Sequence, residues 1–197
     1  MANTASPYGL RPVGTKSGAP WNGAVRKCYV ASGTGNIFIG DPVVLAGSGD
    51  AGGNYPDVAL ATAGDGNPVD GVVVAIEPLR TDLSVNYSKT GSNRYVYVCM
   101  ASPDIIFQAQ DDGSGTPATT MLGANANLVA GSGGSTSTGY SSWALDATTP
   151  SADQSNQLTI IGRPETVNED LDDYCSWLVV INNSHLFGTT TGLGLGV

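Results

Sequence analysis

Arg94-Tyr95-Val96-Tyr97-Val98-Cys99-Met100 decides the fold class of this chain. Successive side chains of an extended strand point to opposite faces, so Tyr95, Tyr97 and Cys99 share one face and Val96, Val98 and Met100 the other. Both faces are apolar, which predicts a central strand of a sandwich or a closed barrel. The runs VVVAI (Val72–Ile76) and LVVI (Leu178–Ile181) are two-sided in the same way. Val25-Arg26-Lys27-Cys28-Tyr29 has one wet face and reads as an edge.

Working outward, the same criteria predict strands at 24–31, 36–39, 42–46, 57–62, 69–77, 94–100, 105–110, 157–163 and 176–182. Turn residues separate them: Gly33-Thr34-Gly35-Asn36, Gly40-Asp41-Pro42, Gly64-Asp65-Gly66-Asn67-Pro68 and Gly91-Ser92-Asn93. Glycine supplies positive φ, Asp and Asn bond their own backbone, and Pro fixes the turn entry. The expectation is an all-β fold, an antiparallel β-barrel or β-sandwich with long Gly/Ser-rich loops. Gly131–Gly139 reads as a flexible spacer, Glu165–Tyr174 as a short acidic helix or a surface loop, and Asp111-Asp112-Gly113 as a plain turn.

Charge divides the chain sharply. Residues 1–40 hold Arg11, Lys16, Arg26 and Lys27 and no acid, whereas residues 41–197 carry all seventeen acids against Arg80, Lys89, Arg94 and Arg163. Pro7, Pro12 and Pro20 with four glycines forbid a regular helix before Lys27. Residues 1–27 therefore read as an extended basic N-terminal arm, and 28–197 as a single acidic β domain. Tyr8 and Trp21 are the arm's aromatic anchors, and Arg11, Lys16, Arg26 and Lys27 its charge partners for an acidic, partly apolar surface. A pI near 4.2 argues against gripping nucleic acid, because the body lacks a concentrated basic face. No stretch has the roughly eighteen apolar residues of a membrane span, and Met1–Leu10 lacks the apolar core of a signal peptide. The chain reads as a cytoplasmic product with neither membrane nor nucleic-acid partner.

Catalytic patterns fail one by one. The single histidine, His185, accompanies no G-x-S-x-G elbow and reads as a loop residue. Gly47-Ser48-Gly49-Asp50-Ala51-Gly52 matches G-x-G-x-x-G after an apolar strand, but Gly53-Asn54-Tyr55-Pro56 cannot open the helix that would hold a pyrophosphate. Glu169, Asp170, Asp172 and Asp173 lack the spacing of a calcium loop. Cys28, Cys99 and Cys175 lie more than seventy residues apart in apolar runs and read as buried free thiols. Trp21, Trp143 and Trp177 are considered as a sugar-stacking platform, with Trp177 better read as core. No catalytic, cofactor or metal residue is predicted, and a structural, non-enzymatic role is expected.

Several blocks carry a family likeness: residues 1–30, FIGDPVVLAG (Phe38–Gly47), NPVDGVVVAIEP (Asn67–Pro78), IIFQAQDDG (Ile105–Gly113), GANANLV (Gly123–Val129) and LVVINNSHLFG (Leu178–Gly188). In texture and order they resemble the capsid decoration, or cement, proteins of tailed bacteriophages. The resemblance implies a β-barrel or sandwich, often a homotrimer, that sits on the outer surface of the virion head over junctions of the major capsid protein. It also implies reinforcement of the shell against packaged DNA. A tail, fibre or baseplate β-domain is the alternative within virions, and a carbohydrate-binding module the alternative outside them.

Overall fold

A computed structural model describes residues 3–80, 82–165, 167 and 169–187. Twelve strands form in chain order: β1 Arg11–Thr15, β2 Arg26–Val30, β3 Pro42–Gly49, β4 Pro56–Leu60, β5 Gly71–Ile76, β6 Arg94–Met100, β7 Ile105–Gln110, β8 Asn125–Ala126, β9 Leu128–Val129, β10 Ala144–Leu145, β11 Leu158–Gly162 and β12 Ser176–Ile181. One 3-10 turn spans Thr119–Met121, and no α-helix occurs among the described residues. Strands β2-β4-β3-β5-β6 close into a barrel, β1-β7-β12-β11-β8 form an open antiparallel sheet, and β10-β9 make a short ribbon. All pairings between these strands are antiparallel except the single-residue contact of Tyr29 with Asp57 between β2 and β4.

Strand β6 explains how the two units join. Its Val96 and Val98 point into the barrel, where Cys28, Val30, Ile37, Val43, Val58 and Val73 meet them. Cys99, on the opposite face, enters a second and larger core with Val72, Phe107, Leu158, Ile160, Trp177, Val179 and Ile181. The outer wall of the barrel is thus the floor of the open sheet's core, which is why these strands are apolar on both sides. Where that wall reaches solvent, Tyr95 packs with Tyr29 and Tyr55 at centroid distances of 5.8 and 5.4 Å. Strand β2 has the predicted wet face but is not an edge. It pairs with β6 over Arg26–Val30 and touches β4, because closing a barrel removes edges.

The N-terminal segment is the main correction to the sequence reading. It does not stand off the body as an arm. Arg11–Thr15 pairs with β7 through Arg11↔Gln108, Pro12↔Phe107, Gly14↔Ile106 and Thr15↔Ile105. Leu10 is 2% exposed within the large core, Trp21 packs against that core, and Arg26 and Lys27 already belong to the barrel. The physical reason is that Leu10 and Trp21 find apolar partners on their own chain, so the segment buries its few large side chains at no cost of association. A division at residue 27 would cut through β2.

The segment enters the core at a backbone crossing. Gly9 N donates to Trp143 O at 3.0 Å, Leu10 N to Gly40 O at 2.9 Å and Gly40 N to Val73 O at 2.7 Å. Gly9 and Gly40 take φ of 75° and 96°, and a methyl group on either would overlap the backbone of the other segment. Only glycine tolerates both the positive φ and this approach.

Buried polar groups tie the units together. Gln157, fully buried, donates from Nε2 to Thr62 O and Asn67 O and accepts from Gly64 N and Leu128 N, joining a barrel loop to β9 and β11. Asp111 is 1% exposed and does more than make a turn. It accepts from Gly113 N and Tyr174 N on Oδ1 and from Cys175 Sγ and Trp177 Nε1 on Oδ2. Acids nearer the surface serve the turns instead: Asp82, Asp112, Asp146 and Asp153 each accept the N–H and hydroxyl of the Ser or Thr two residues on.

Of the two long segments, Gly131–Gly139 is more ordered than a flexible spacer, and the acidic one follows the surface-loop alternative. Gly131–Gly139 is held in place: Gly134 N donates to Ser142 Oγ, Ser135 N to Tyr140 O, and Ile39 N to Gly139 O. Over its described residues the acidic segment before Tyr174 forms no helix, and Arg163 donates to Glu169 O and Asp170 O, and Asn3 to the carbonyls of Asp170, Asp172 and Asp173.

Two outcomes follow for stability. Gly9→Ala and Gly40→Ala should each cost several times the ~1 kcal/mol typical of a single substitution, whereas Gly23→Ala, with open space around it, should cost about the strain of one positive φ. Urea unfolding midpoints compare the three. Deleting residues 1–27 removes β1, Leu10 and part of β2, so near-UV circular dichroism of the truncated chain should show loss of fixed tertiary packing; a native-like spectrum would return the segment to the status of an arm.

Candidate binding groove

The crossing at Gly9 and Gly40 leaves a hollow beside it. Its walls come from the N-terminal segment (Tyr8, Leu10, Arg11, Pro12 and Trp21) and from the barrel and its loops (Ile39, Gly40, Val73, Val74 and Tyr140), enclosing about 500 Å³. The sequence builds it from two requirements. Leu10 must reach the core, which draws Tyr8 and Arg11 alongside, and Pro20 turns the chain back so that Trp21 N donates to Val13 O at 3.2 Å. Tyr140, 52% exposed at the end of the Gly/Ser-rich loop, forms the outer lip.

The lining is apolar with one cation at its rim. Arg11 lies 4.9 Å from the Tyr8 ring centroid and donates to Gln108 Oε1 at 3.1 Å; among the described residues no carboxylate forms an ion pair with it. Tyr8 Oη and Trp21 Nε1 are buried without completing a hydrogen bond, although Ser176 and Gln108 lie beside the first and the Cys99 thiol beside the second. Burial pushes the Tyr8 phenol up, and the Glu169 carboxylate adds to the shift. Beneath the groove, Asp41 is 2% exposed and accepts from Phe38 N at 2.8 Å. Burial pushes its carboxyl up to about 6, against the opposing pull of hydrogen bonds from Ser141 and Phe38.

Of the six residues predicted for partner binding, the groove gathers Tyr8, Arg11 and Trp21. Tyr8 and Trp21 are half-buried in their own chain, with Trp21 packed against the large core. Lys16 is exposed beyond the hairpin end of β1, its N–H donating to Asp104 O. Arg26 is exposed on β2. Lys27 is engaged, 2.6 Å from Glu77 and 4.3 Å from the Tyr95 ring centroid. Four cations close in sequence are therefore dispersed, because strand alternation and the barrel's curvature send them to different faces. Reading the sequence alone missed Ile39, Val73, Val74 and Tyr140; the signal for Tyr140 was a lone aromatic ring in a run of Gly, Ser and Thr.

The remaining candidates are structural in their contacts. His185 meets Asp70 twice, through its backbone N at 2.8 Å and Nδ1 at 2.9 Å, while Ser184 Oγ donates to the same carboxylate at 2.8 Å. The serine bonds the aspartate and not the imidazole, so the three do not form a relay. Cys28, Cys99 and Cys175 are free and buried, with thiols pushed up to about 11, 11 and 12, burial being the first cause and the Asp111 carboxylate the second for Cys175. Such thiols are poor nucleophiles. Trp143 and Trp177 are 2% and 0% exposed and offer no stacking face. Gly47–Gly49 continues β3 into its turn toward β4. No cluster of three metal-ligating side chains occurs among the described residues, and no helix among them is long and apolar enough to cross a membrane.

No protein-family model matches this chain, no curated protein matches it in sequence, and no solved structure matches its fold.

Asp41 makes stability depend on pH. Its folded-state carboxyl holds a proton up to about pH 6, whereas the unfolded carboxyl releases it near 3.8. The stabilisation is complete below the lower value and is lost as pH rises through the higher one. Relative to Asp41→Asn, the wild type should therefore lose roughly 2 kcal/mol of unfolding free energy between pH 4 and 7. Parallel urea titrations of the two proteins measure this, and a difference that stays flat across that range would contradict the assignment.

Proposed function

We propose that this chain is a structural protein of a tailed-phage virion, a capsid decoration or cement protein. In this reading it binds the outer surface of the head as a homotrimer, over junctions between major capsid subunits, and stabilises the DNA-filled shell. The observation that carries the reading is where the family-like blocks fall. FIGDPVVLAG, NPVDGVVVAIEP and IIFQAQDDG supply β3, β5 and β7 together with Asp41, Asp70 and Asp111, and LVVINNSHLFG supplies most of β12 and the Ser184–His185 clasp on Asp70. The resemblance is thus a resemblance in what joins the barrel to the open sheet.

Mechanical reinforcement suits such a body. A cement protein performs no chemistry; it must resist shear while contacts on its surface hold neighbouring subunits in register. Here the two β units share one apolar core, and buried side chains span them at Gln157 and Asp70.

The test uses expanded heads lacking this component, to which purified protein is added before sedimentation. Wild-type chain should load to a saturating stoichiometry and raise the temperature at which the heads release DNA. Lys16→Glu and Arg26→Glu, at exposed cations outside the groove, should each lower occupancy of an acidic shell surface. Absence of saturable binding by the folded wild type would overturn the reading.

A further inference from the structure

The groove has a chemical counterpart on the same molecule. The acidic loop Glu165–Tyr174 carries Glu165, Glu169, Asp170, Asp172 and Asp173, yet it also presents Val167 at 85% exposure and Leu171 at 36%. Among the described residues, Val167 is an apolar side chain left in water on a loop of carboxylates. The groove shows the reverse chemistry: the partly exposed apolar faces of Trp21 and Val74 and the exposed ring of Tyr140 on its walls, and a guanidinium without an ion pair at its mouth. Burying Val167 against those walls removes apolar area from water on both surfaces, and bringing carboxylates to Arg11 gives the contact a direction.

We infer that the groove between the N-terminal segment and the barrel receives the acidic loop of a second copy of this chain, with Val167 seated among Trp21, Val74 and Tyr140. The two surfaces adjoin on each molecule. Glu169 is near enough to act on the Tyr8 phenol, and Ser176, the first residue of β12, bonds the Glu169 side chain while lying beside Tyr8. Every copy can then give a loop and accept one, a contact that forms a closed ring when the rotation between copies closes and an open chain when it does not. The inference deepens the self-association in the proposed function without depending on shell binding, and it assigns that association to named residues.

Sedimentation velocity of the full chain, from about 1 to 100 µM, reads the assembly. Wild type should sediment as a closed oligomer. Val167→Asp, at a position too exposed to affect folding, should weaken self-association by about tenfold or more, since it places a charge against apolar walls. Arg11→Glu should weaken it and make the residual association less sensitive to salt. A second measurement fixes the geometry. Tyr140→Cys protein mixed with Val167→Cys protein under mild oxidation should give the mixed disulfide in preference to either homodisulfide, the native cysteines being buried. A monomeric wild type at the highest concentration would overturn both this inference and the proposed trimer. An oligomer that Val167→Asp leaves intact, or that yields no mixed disulfide, would overturn the loop-in-groove contact alone. Shell occupancy is read separately, so failure of head binding with a Val167-dependent oligomer would count against the virion reading only.

Discussion

The passage of Tyr8, Gly9 and Leu10 across Gly40 is the constraint on which the rest of the structure depends. Three hydrogen bonds at this point attach the N-terminal segment to Gly40, tie Gly40 to β5 at Val73, and reach the loop ending at Trp143. Because the backbones touch, Leu10 can enter the core shared by barrel and open sheet while β1 lies along β7. The groove is a by-product of that path: the chain must leave the crossing, pair with β7 and double back at Pro20, and the space left beside the barrel is walled by the side chains along the way.

A chain with only 13% charged residues uses its acids unusually. Asp41, Asp57, Asp70 and Asp111 are buried, and each accepts hydrogen bonds from backbone N–H groups that no ladder could pair. Loops packed into an interior leave such donors behind, and an unmet buried donor costs about as much as a lost hydrogen bond. One carboxylate with several lone pairs satisfies two or more of them at once. The compromise is visible at Asp41, where burial outweighs two hydrogen bonds and drives the carboxyl toward neutrality. At Asp70 the same device holds β3 through Leu45 N and the C-terminal turn through Ser184 and His185, spanning distant parts of the chain.

The buried carboxylates and Gln157 hold the body together, and Cys175 belongs to the same network through its thiol on Asp111. What remains outward is an apolar groove with a free cation and an acidic loop with exposed apolar side chains. Complementary patches of modest size gain strength from repetition in a symmetric assembly, where each contact raises the effective concentration of the next.

Strand content was legible in the sequence because alternation and turn chemistry are local. All nine predicted strands correspond to extended segments, with 36–39 reduced to isolated bridges at Ile37 and Ile39. The two-sided character of Arg94–Met100 correctly announced a strand between two cores. Strands β8, β9 and β10 went unseen because two residues carry no period, and β1 because Pro12 and Gly14 suppress propensity that pairing with β7 overrides. By itself the sequence determined an all-β chain of short strands, free buried cysteines and no disulfide framework. Only the tertiary structure decided that Tyr8, Leu10 and Trp21 turn inward while Arg11, Lys16 and Arg26 stay outside, and that Asp111 is a hub and not merely a turn. The physical reason is that a run of charge is visible along the chain, whereas the apolar surface that captures its neighbours is assembled from residues a hundred positions away.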